Sequence, residues 1–326
     1  MATTTTTSMA DRTKPPRFLE LIPPNPGIDF IRLTVPMIVL SWVVIILGLA
    51  SVWMRGGLNY GIDFAGGTLV HVKFPQATSV ADIRTALDRP DLREVVVQDV
   101  GGGGQEFQIR VLGVKGDQED AAAGAAKAGL QGKFGEGSFD VLRTETVGPK
   151  VGKELWRDAT LAILLSTVLM GLYIWLRFDL RFGIGAAVAL LHDVLITVGF
   201  ISFFNMEFDL TTVTALLTVV GFSVNDTVII SDRIRENLAK MRKEKLATIV
   251  NTSINETLSR TVITSGTAIV VTIALYVLGG PVIHSFAFAL MVGFVVGTYS
   301  SIFVASPIVI YLEGRGGLGG SSGVTA

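Results

Sequence analysis

Read as a pattern of apolar and polar positions, the chain consists of six long apolar runs, one broad hydrophilic stretch and several short polar turns. The first run, 33–53, is uncharged and about as long as a helix must be to cross a bilayer. Five more lie at 159–176, 182–204, 210–231, 261–278 and 284–312. Pro36 falls in the first turn of the first run, where a missing N–H is tolerated. That run is too long for a signal peptide and reads as a retained spanning helix. The polar, Thr- and Pro-rich segment 1–32 reads as an N-terminal tail whose opening Thr run is expected to be disordered, and the Gly-rich segment 313–326 as a flexible tail.

The hydrophilic stretch, 54–158, has the length of a small domain. Tyr60–Phe64 and Thr68–Phe74 alternate like strands, and Ser79 to Asp82 opens a helix in capping-box style. Val95–Val97 and Phe107–Leu112 read as a hairpin around the turn 101–104. An Ala-rich helix follows from Asp117 to Leu130, then a last strand at Phe139–Thr146. After the initial strand the order is β-α-β-β-α-β, which predicts a ferredoxin-like sandwich. Residues 150–157 read as an amphipathic connector into the second span. The expected fold is therefore an α-helical integral membrane protein with six transmembrane helices and a small α+β ferredoxin-like domain outside the cytoplasm.

Composition agrees: 49% of residues are apolar and only 17% charged, against about 25% in soluble domains. The net charge of −1 supplies no field for nucleic acid, so no nucleic-acid partner is expected. The absence of cysteine removes disulfides and thiolate metal sites. His71, His192 and His284 match no metal-ligand spacing. The four glycines 101–104 join two strands and lack a following Lys-Ser/Thr, so they read as a hairpin turn rather than a nucleotide loop. No cofactor, metal or enzymatic activity is expected.

Orientation follows from the basic residues. Arg12, Lys14, Arg17 and Arg32 precede the first span, Arg177 and Arg181 separate the second from the third, and seven Lys and Arg lie in 232–260. The short turns 205–209 and 279–281 have none. By the positive-inside rule both termini and the 232–260 loop face the cytoplasm, and the 54–158 domain faces outward.

Polar residues inside the spans carry the candidate chemistry. Asn225 and Asp226 lie in the fourth span, where an ionisable group costs about 2.5–3.5 kcal/mol on insertion scales. His192 and Asp193 are a second such insertion, in the middle of the third. The two spans are joined by a short turn and should be neighbours. A histidine and two carboxylates stepping through the bilayer resemble a proton path, since these groups change charge when buried or paired. The competing reading is a hydrogen-bonded brace between helices. Arg260 starts the fifth span and either snorkels or pairs with Asp226 or Asp232, while Asp232 and Arg233 form a candidate ion pair at the cytoplasmic edge. Gly183, Gly185, Gly221, Gly266, Gly293 and Gly297 would let helices approach closely.

Several of these segments together resemble the SecD/SecF protein-export family on its SecF side. They are Gly61-Ile-Asp-Phe-Ala-Gly-Gly-Thr68, Val147-Gly-Pro-Lys-Val-Gly152, and Val220-Gly-Phe-Ser-Val-Asn-Asp-Thr-Val228 with Asp232-Arg233. Arg260-Thr-Val-Ile-Thr-Ser-Gly-Thr267 is similar to that family's fifth-span motif. The resemblance covers about 28–312. It implies half of an RND-type transporter in a bacterial inner membrane, completed by SecD, working with the SecYEG channel and with YajC and YidC on a translocating preprotein. It implies the proton gradient as the energy source, with Asp226 and Arg260 in the proton pathway. Phe222 stands where many relatives have Tyr. Two other classes remain open: half of an RND-type small-molecule exporter, and a non-transporting assembly factor whose buried acids are glue.

The topology is directly testable in a cysteine-free chain. A single cysteine introduced as Gln118→Cys should react with an impermeant maleimide added outside, and labelling only from the cytoplasmic face would reverse the orientation.

Overall fold

The computed structural model describes residues 23, 26–100, 103–114 and 120–316. The Thr-rich run, the start of the Ala-rich helix at Asp117, part of the four-glycine turn and the end of the C-terminal tail lie outside the described residues.

Among the described residues, six helices are long and apolar enough to cross a membrane. They are α1 (Phe30–Met54), α5 (Pro149–Arg177), α6 (Leu180–Phe203), α7 (Leu210–Lys240), α8 (Leu246–Leu278) and a final composite helix. The composite comprises α9 (His284–Ser300), a π-helical turn at Ser301–Ala305 and α10 (Ser306–Gly316). The π turn has a local cause. Pro307 has no N–H for the carbonyl four residues back, and the wider turn absorbs that defect while Ser306 Oγ donates to Ser301 O at 2.8 Å.

Between α1 and α5 lies the small domain. Its elements are β1 (Asn59–Tyr60), α2 (Ile62–Ala65), β2 (Gly67–Lys73), α3 (Val80–Leu87), β3 (Leu92–Asp99), β4 (Glu106–Val114), α4 (Asp120–Phe134) and β5 (Asp140–Val147). From β2 onward the order is β-α-β-β-α-β, and the strands lie side by side as β3-β4-β2-β5, all antiparallel. Val70, Val72, Phe107, Ile109 and Val111 point to one face and pack under Ile83, Leu87, Ala126 and Leu130 of α3 and α4. Leu69, His71, Gln108, Arg110, Arg143 and Glu145 are paired across the other face.

That second face rests on the bundle. Arg110, 4% exposed, donates from Nη1 to Tyr60 O at 2.8 Å and from Nη2 to Asn59 Oδ1 at 3.0 Å. A two-residue strand between α6 and α7, β6 (Glu207–Phe208), pairs in parallel with β1. Tyr60, Phe64, Trp156 and Phe208 form an aromatic knot there, with centroids 5.2–6.4 Å apart. β5 runs through Gly148 straight into α5, so domain and span share a continuous backbone without a flexible linker.

Two expectations need correction. Tyr60–Phe64 is not a strand: pairing stops at Tyr60, and Ile62–Ala65 is a single helical turn. The alternation of Tyr60, Ile62 and Phe64 imitates a strand, but pairing ends at Tyr60, and Gly66 and Gly67 take φ of +74° and +116° to bring the chain back. The polar segment 232–260 is not a loop. α7 runs to Lys240 and α8 starts at Leu246, leaving a short turn between two helical extensions. Ile234, Ile249, Val250 and Ile254 are buried between them, and Asn237 Nδ2 donates to Ser253 Oγ at 3.0 Å. The segment just before α1 is also tied down, since Ile28 N and Phe30 N donate to Asn255 and Asn251 of α8 at 2.8 and 2.9 Å.

Gly67 supplies a stability test. A Cβ there would meet Val111 O and would sit on a left-handed backbone, whereas a Cβ on Gly132, in α4, meets nothing. Gly67→Ala should destabilise the domain by about 1–3 kcal/mol, and Gly132→Ala should stabilise it by about 0.5–1 kcal/mol. Proteolytic susceptibility of the domain in denaturant reads both signs.

Candidate functional site

The sequence places His192, Asp193, Asn225, Asp226, Asp232, Arg233 and Arg260 on three helices. The bundle sorts them into two buried polar clusters and one open cavity.

The first cluster forms where α1, α6, α7 and α9 meet. Asp193 is fully buried, and its Oδ2 accepts hydrogen bonds from Ser223 Oγ at 2.6 Å and Ser300 Oγ at 2.8 Å. Its Oδ1 is 3.0 Å from His192 Nδ1. The other ring nitrogen, Nε2, is 2.9 Å from Ser41 Oγ, which is itself 2.9 Å from Tyr299 Oη. Tyr299 Oη donates to Met37 O at 2.5 Å, and its ring stacks against His192 at 6.0 Å. Every polar atom of the His192–Asp193 pair therefore has a partner.

The second cluster surrounds Asp226, also fully buried. Ser265 Oγ of α8 donates to its Oδ2 at 3.3 Å, and Thr298 Oγ1 of α9 donates to Ser265 Oγ at 2.6 Å. The Asp226 Oδ1 atom has no hydrogen-bond partner among the described residues, and neither has Thr261 Oγ1, one helical turn from Ser265 on α8. Asp226 and Ser223 are three residues apart on α7, so the two clusters are adjacent turns of one helix. Close packing permits this. A Cβ on Gly297 would meet Ser223, and one on Gly293 would collide with Val219. Gly183 and Gly185 serve likewise against Trp175 and Ala305.

On the side away from the domain a cavity of about 660 Å³ opens between α5, α7 and α8. Arg260 is exposed on its wall with Thr257, Asp232, Arg233 and Arg177. Among the described residues no ion pair joins Arg260 to Asp226 or Asp232, although its charge is close enough to act on the Asp226 carboxylate. Asp232 and Arg233 do not form the expected pair: Arg233 bonds instead to Glu236 at 2.5 Å and Glu256 at 2.6 Å. Asn225 is exposed on α7, yet its side chain stays close enough to act on the Asp226 carboxylate. Gly221 and Gly266 likewise face open space: a Cβ on either would meet nothing within 4 Å, so neither mediates a helix contact within this chain. Among the described residues no group of acids and histidines could hold a metal ion.

Ser41, Ser223, Thr298, Tyr299 and Ser300 escaped the sequence reading, and Ser265 entered it only as a small residue that lets helices approach. They are hydroxyls within apolar runs, and such hydroxyls commonly bond their own helix backbone. Only the packing shows that these six reach across to another helix.

Comparison with known proteins gives a consistent result. Residues 128–315 match the family described as protein export membrane protein SecD/SecF, C-terminal, and residues 56–77 match the SecD/SecF GG motif. The chain is 44% identical over 295 residues to the protein translocase subunit SecF of Desulfurispirillum indicum, covering 88% of this chain and 92% of that one. It is 47% identical over 287 residues to the corresponding protein of Magnetococcus marinus, covering 87% and 92%. The crystal structure of SecDF, a translocon-associated membrane protein from Thermus thermophilus, superimposes with a TM-score of 0.80 at 37% identity. That match covers 94% of this chain and 41% of the SecDF chain, so this chain spans about two fifths of that one.

The two buried clusters predict different responses from Asn225. Asp193→Ala removes two interhelical hydrogen bonds and the one to His192 and should cost about 1–3 kcal/mol, whereas Asn225→Ala in the isolated chain should change stability by less than about 0.5 kcal/mol. Thermal unfolding in mild detergent measures the contrast.

Proposed function

The chain belongs to the SecD/SecF protein-export family, and on that premise we propose that it is the SecF-type half of a proton-driven accessory to the Sec translocase. It is a transport subunit rather than an enzyme in this reading. It sits in a bacterial inner membrane with both ends cytoplasmic and the α/β domain outside, pairs with SecD, and acts with SecYEG, and with YajC and YidC, on a preprotein emerging from the channel.

The observation that carries the reading is the half-satisfied Asp226. A carboxylate that served only as glue would have both oxygens bonded, as Asp193 does. Asp226 has one oxygen free, and the neighbouring free hydroxyl of Thr261 lies on the way to Thr257 and Arg260 at the cavity. Those two atoms offer the polar partners that a bridging water needs. From Asp226 the adjacent turn of α7 leads through Ser223 to Asp193 and His192. A proton path from the cavity to Asp226 follows, with His192–Asp193 bracing the helices that must repack around it.

The partner assignment is supported by the face of α7 turned away from the bundle. Thr211, Thr214, Thr218, Gly221 and Asn225 form an exposed small and polar stripe along it, ill-suited to lipid and suited to a second half. The SecDF chain, more than twice as long, supports the same arrangement. One charge falling through 100 mV releases about 2.3 kcal/mol, enough to bias two packings roughly fiftyfold. The unbroken passage from α5 into β5 would turn such repacking into movement of the domain.

Asp226→Asn keeps the shape of the side chain but cannot cycle charge. It should abolish gradient-driven preprotein release in vesicles without ATP while assembly persists, and Arg260→Lys should be intermediate because it keeps charge and loses the guanidinium fork. Wild-type release by the Asn variant would remove Asp226 from the proton path.

A further inference from the structure

The seam between the α/β domain and the bundle holds charged groups that the span clusters do not use. A cavity of about 130 Å³ lies there, roofed by the free face of the sheet and floored by the outer ends of the spans. Its titratable lining comes from five elements: Asp63 on α2, His71 on β2, Arg143 and Glu145 on β5, Glu207 on β6, and Asp209 at the start of α7. Arg110 of β4 reaches the same place, with Nη1 3.5 Å from Glu207 Oε1.

Several observations separate this chamber from ordinary surface charge. His71 is 7% exposed and its Nε2 has no hydrogen-bond partner, the nearest carboxylate oxygen, from Glu106, being 3.8 Å away. Asp63 Oδ2 accepts the backbone N–H of Leu210 at 3.0 Å, and Leu210 is the first residue of α7. Arg143 is engaged by Glu145 and Arg110 by backbone and Asn59. Glu106 bonds Lys73 at 2.6 Å, and Lys153 and Glu154 of α5 are exposed and do not line the chamber. α9 contributes Ser285, and just before it stands Val282, neither of them titratable; the ring of His284 lies against Tyr276.

With all groups ionised, four carboxylates (Asp63, Glu145, Glu207, Asp209) face two guanidinium groups. Burial pushes Asp63 and Glu207 above the ordinary carboxylate range, opposed by the Leu210 N–H for Asp63 and by Arg110 for Glu207, while the negative neighbour Asp209 raises both. Burial lowers His71, disfavouring its charged form.

We propose that this chamber is a proton-binding site outside the membrane, which clamps the domain onto the bundle when Asp63 and Glu207 are protonated and loosens it when both are charged. Protonation of the pair leaves two carboxylates against two guanidiniums, a balanced interior. Deprotonation leaves two uncompensated negative charges in a confined space. The sign follows from linkage: a docked state that holds protons more tightly than the undocked one is favoured in acid, and loses that advantage as pH rises through the raised values. The Asp63–Leu210 bond places this switch at the head of α7, sixteen residues or roughly 24 Å from Asp226. The proposal does not require the translocase reading, because it concerns docking alone.

Spin labels on Leu142→Cys in β5 and Val282→Cys before α9, both exposed positions, report the seam in an otherwise cysteine-free full-length chain in lipid discs. Distances are read by pulsed EPR from about pH 4 to about pH 8, the interval that brackets raised carboxylates. One short, narrow distance at acid pH should give way to a longer, broader population as pH rises. Asp63→Asn with Glu207→Gln should hold the short distance throughout, and His71→Gln should respond like the unsubstituted chain. Glu207→Gln alone should give a reduced response, which serves if the double variant does not insert. A pH-independent distance in the unsubstituted chain overturns the proposal. So does an unchanged response in the carboxylate variants, or loss of the response on replacing His71.

Discussion

A hydrocarbon interior supplies neither water nor counterions, so every polar group within it must be answered by the protein. That requirement organises the bundle around Asp193 and Asp226. Asp193 is answered in full, by hydroxyls from α7 and α9 and by a histidine that is itself relayed to α1. Meeting it brings four helices to within side-chain reach of one carboxylate. The glycines of α9 at 293 and 297 and those of α6 at 183 and 185 follow from the same demand, since a serine or aspartate can bond across an interface only where the backbones come close. Asp226 is answered by half, with one carboxylate oxygen left without a hydrogen-bond partner among the described residues.

The domain is held by different means. Its helices cover one face of the sheet with aliphatic packing, and the other face is polar where it meets the bundle. Such a seam is held by hydrogen bonds and a small aromatic knot instead of a wide apolar surface. Polar interfaces of this kind dock two bodies without welding them, and they respond to charge. The connection through Gly148 differs in kind, because it is covalent and helical. The domain thus has one stiff attachment, at α5, and one conditional attachment, at α2, β6 and the head of α7.

Much of this is legible in the residues. Uncharged runs of spanning length mark the six helices, and period-two alternation marks the strands of the sheet, because both patterns are imposed by a single environment over many residues. Short elements are harder. Ile62–Ala65 has strand-like alternation over too few residues to reveal that it coils into a single turn closed by Gly66 and Gly67. The segment 232–260 carries seven basic residues, and charge reads as loop; the helices continue because Ile234, Asn237, Ile249 and Ser253 keep one face inward beneath the charges. The site is half visible. His192, Asp193 and Asp226 announce themselves by the cost of burying them. Asn225 shares that cost in sequence but faces outward, since neighbours on a helix point about 100° apart. Arg233 has closer acids than Asp232 within a turn and across to α8, and only three-dimensional packing ranks them.

The π turn at Ser301–Ala305 has a consequence for how the last span is phased. A wide turn holds one residue more than an α-helical ladder would use, which rotates the faces of α10 by about 100° relative to those of α9. Tyr299 and Ser300, which hold His192 and Asp193, lie on one side of that step, and Glu313, which Arg181 grips, lies on the other. The last span thus presents two differently aimed faces to α6, one to its buried polar pair and one to its N-terminal end.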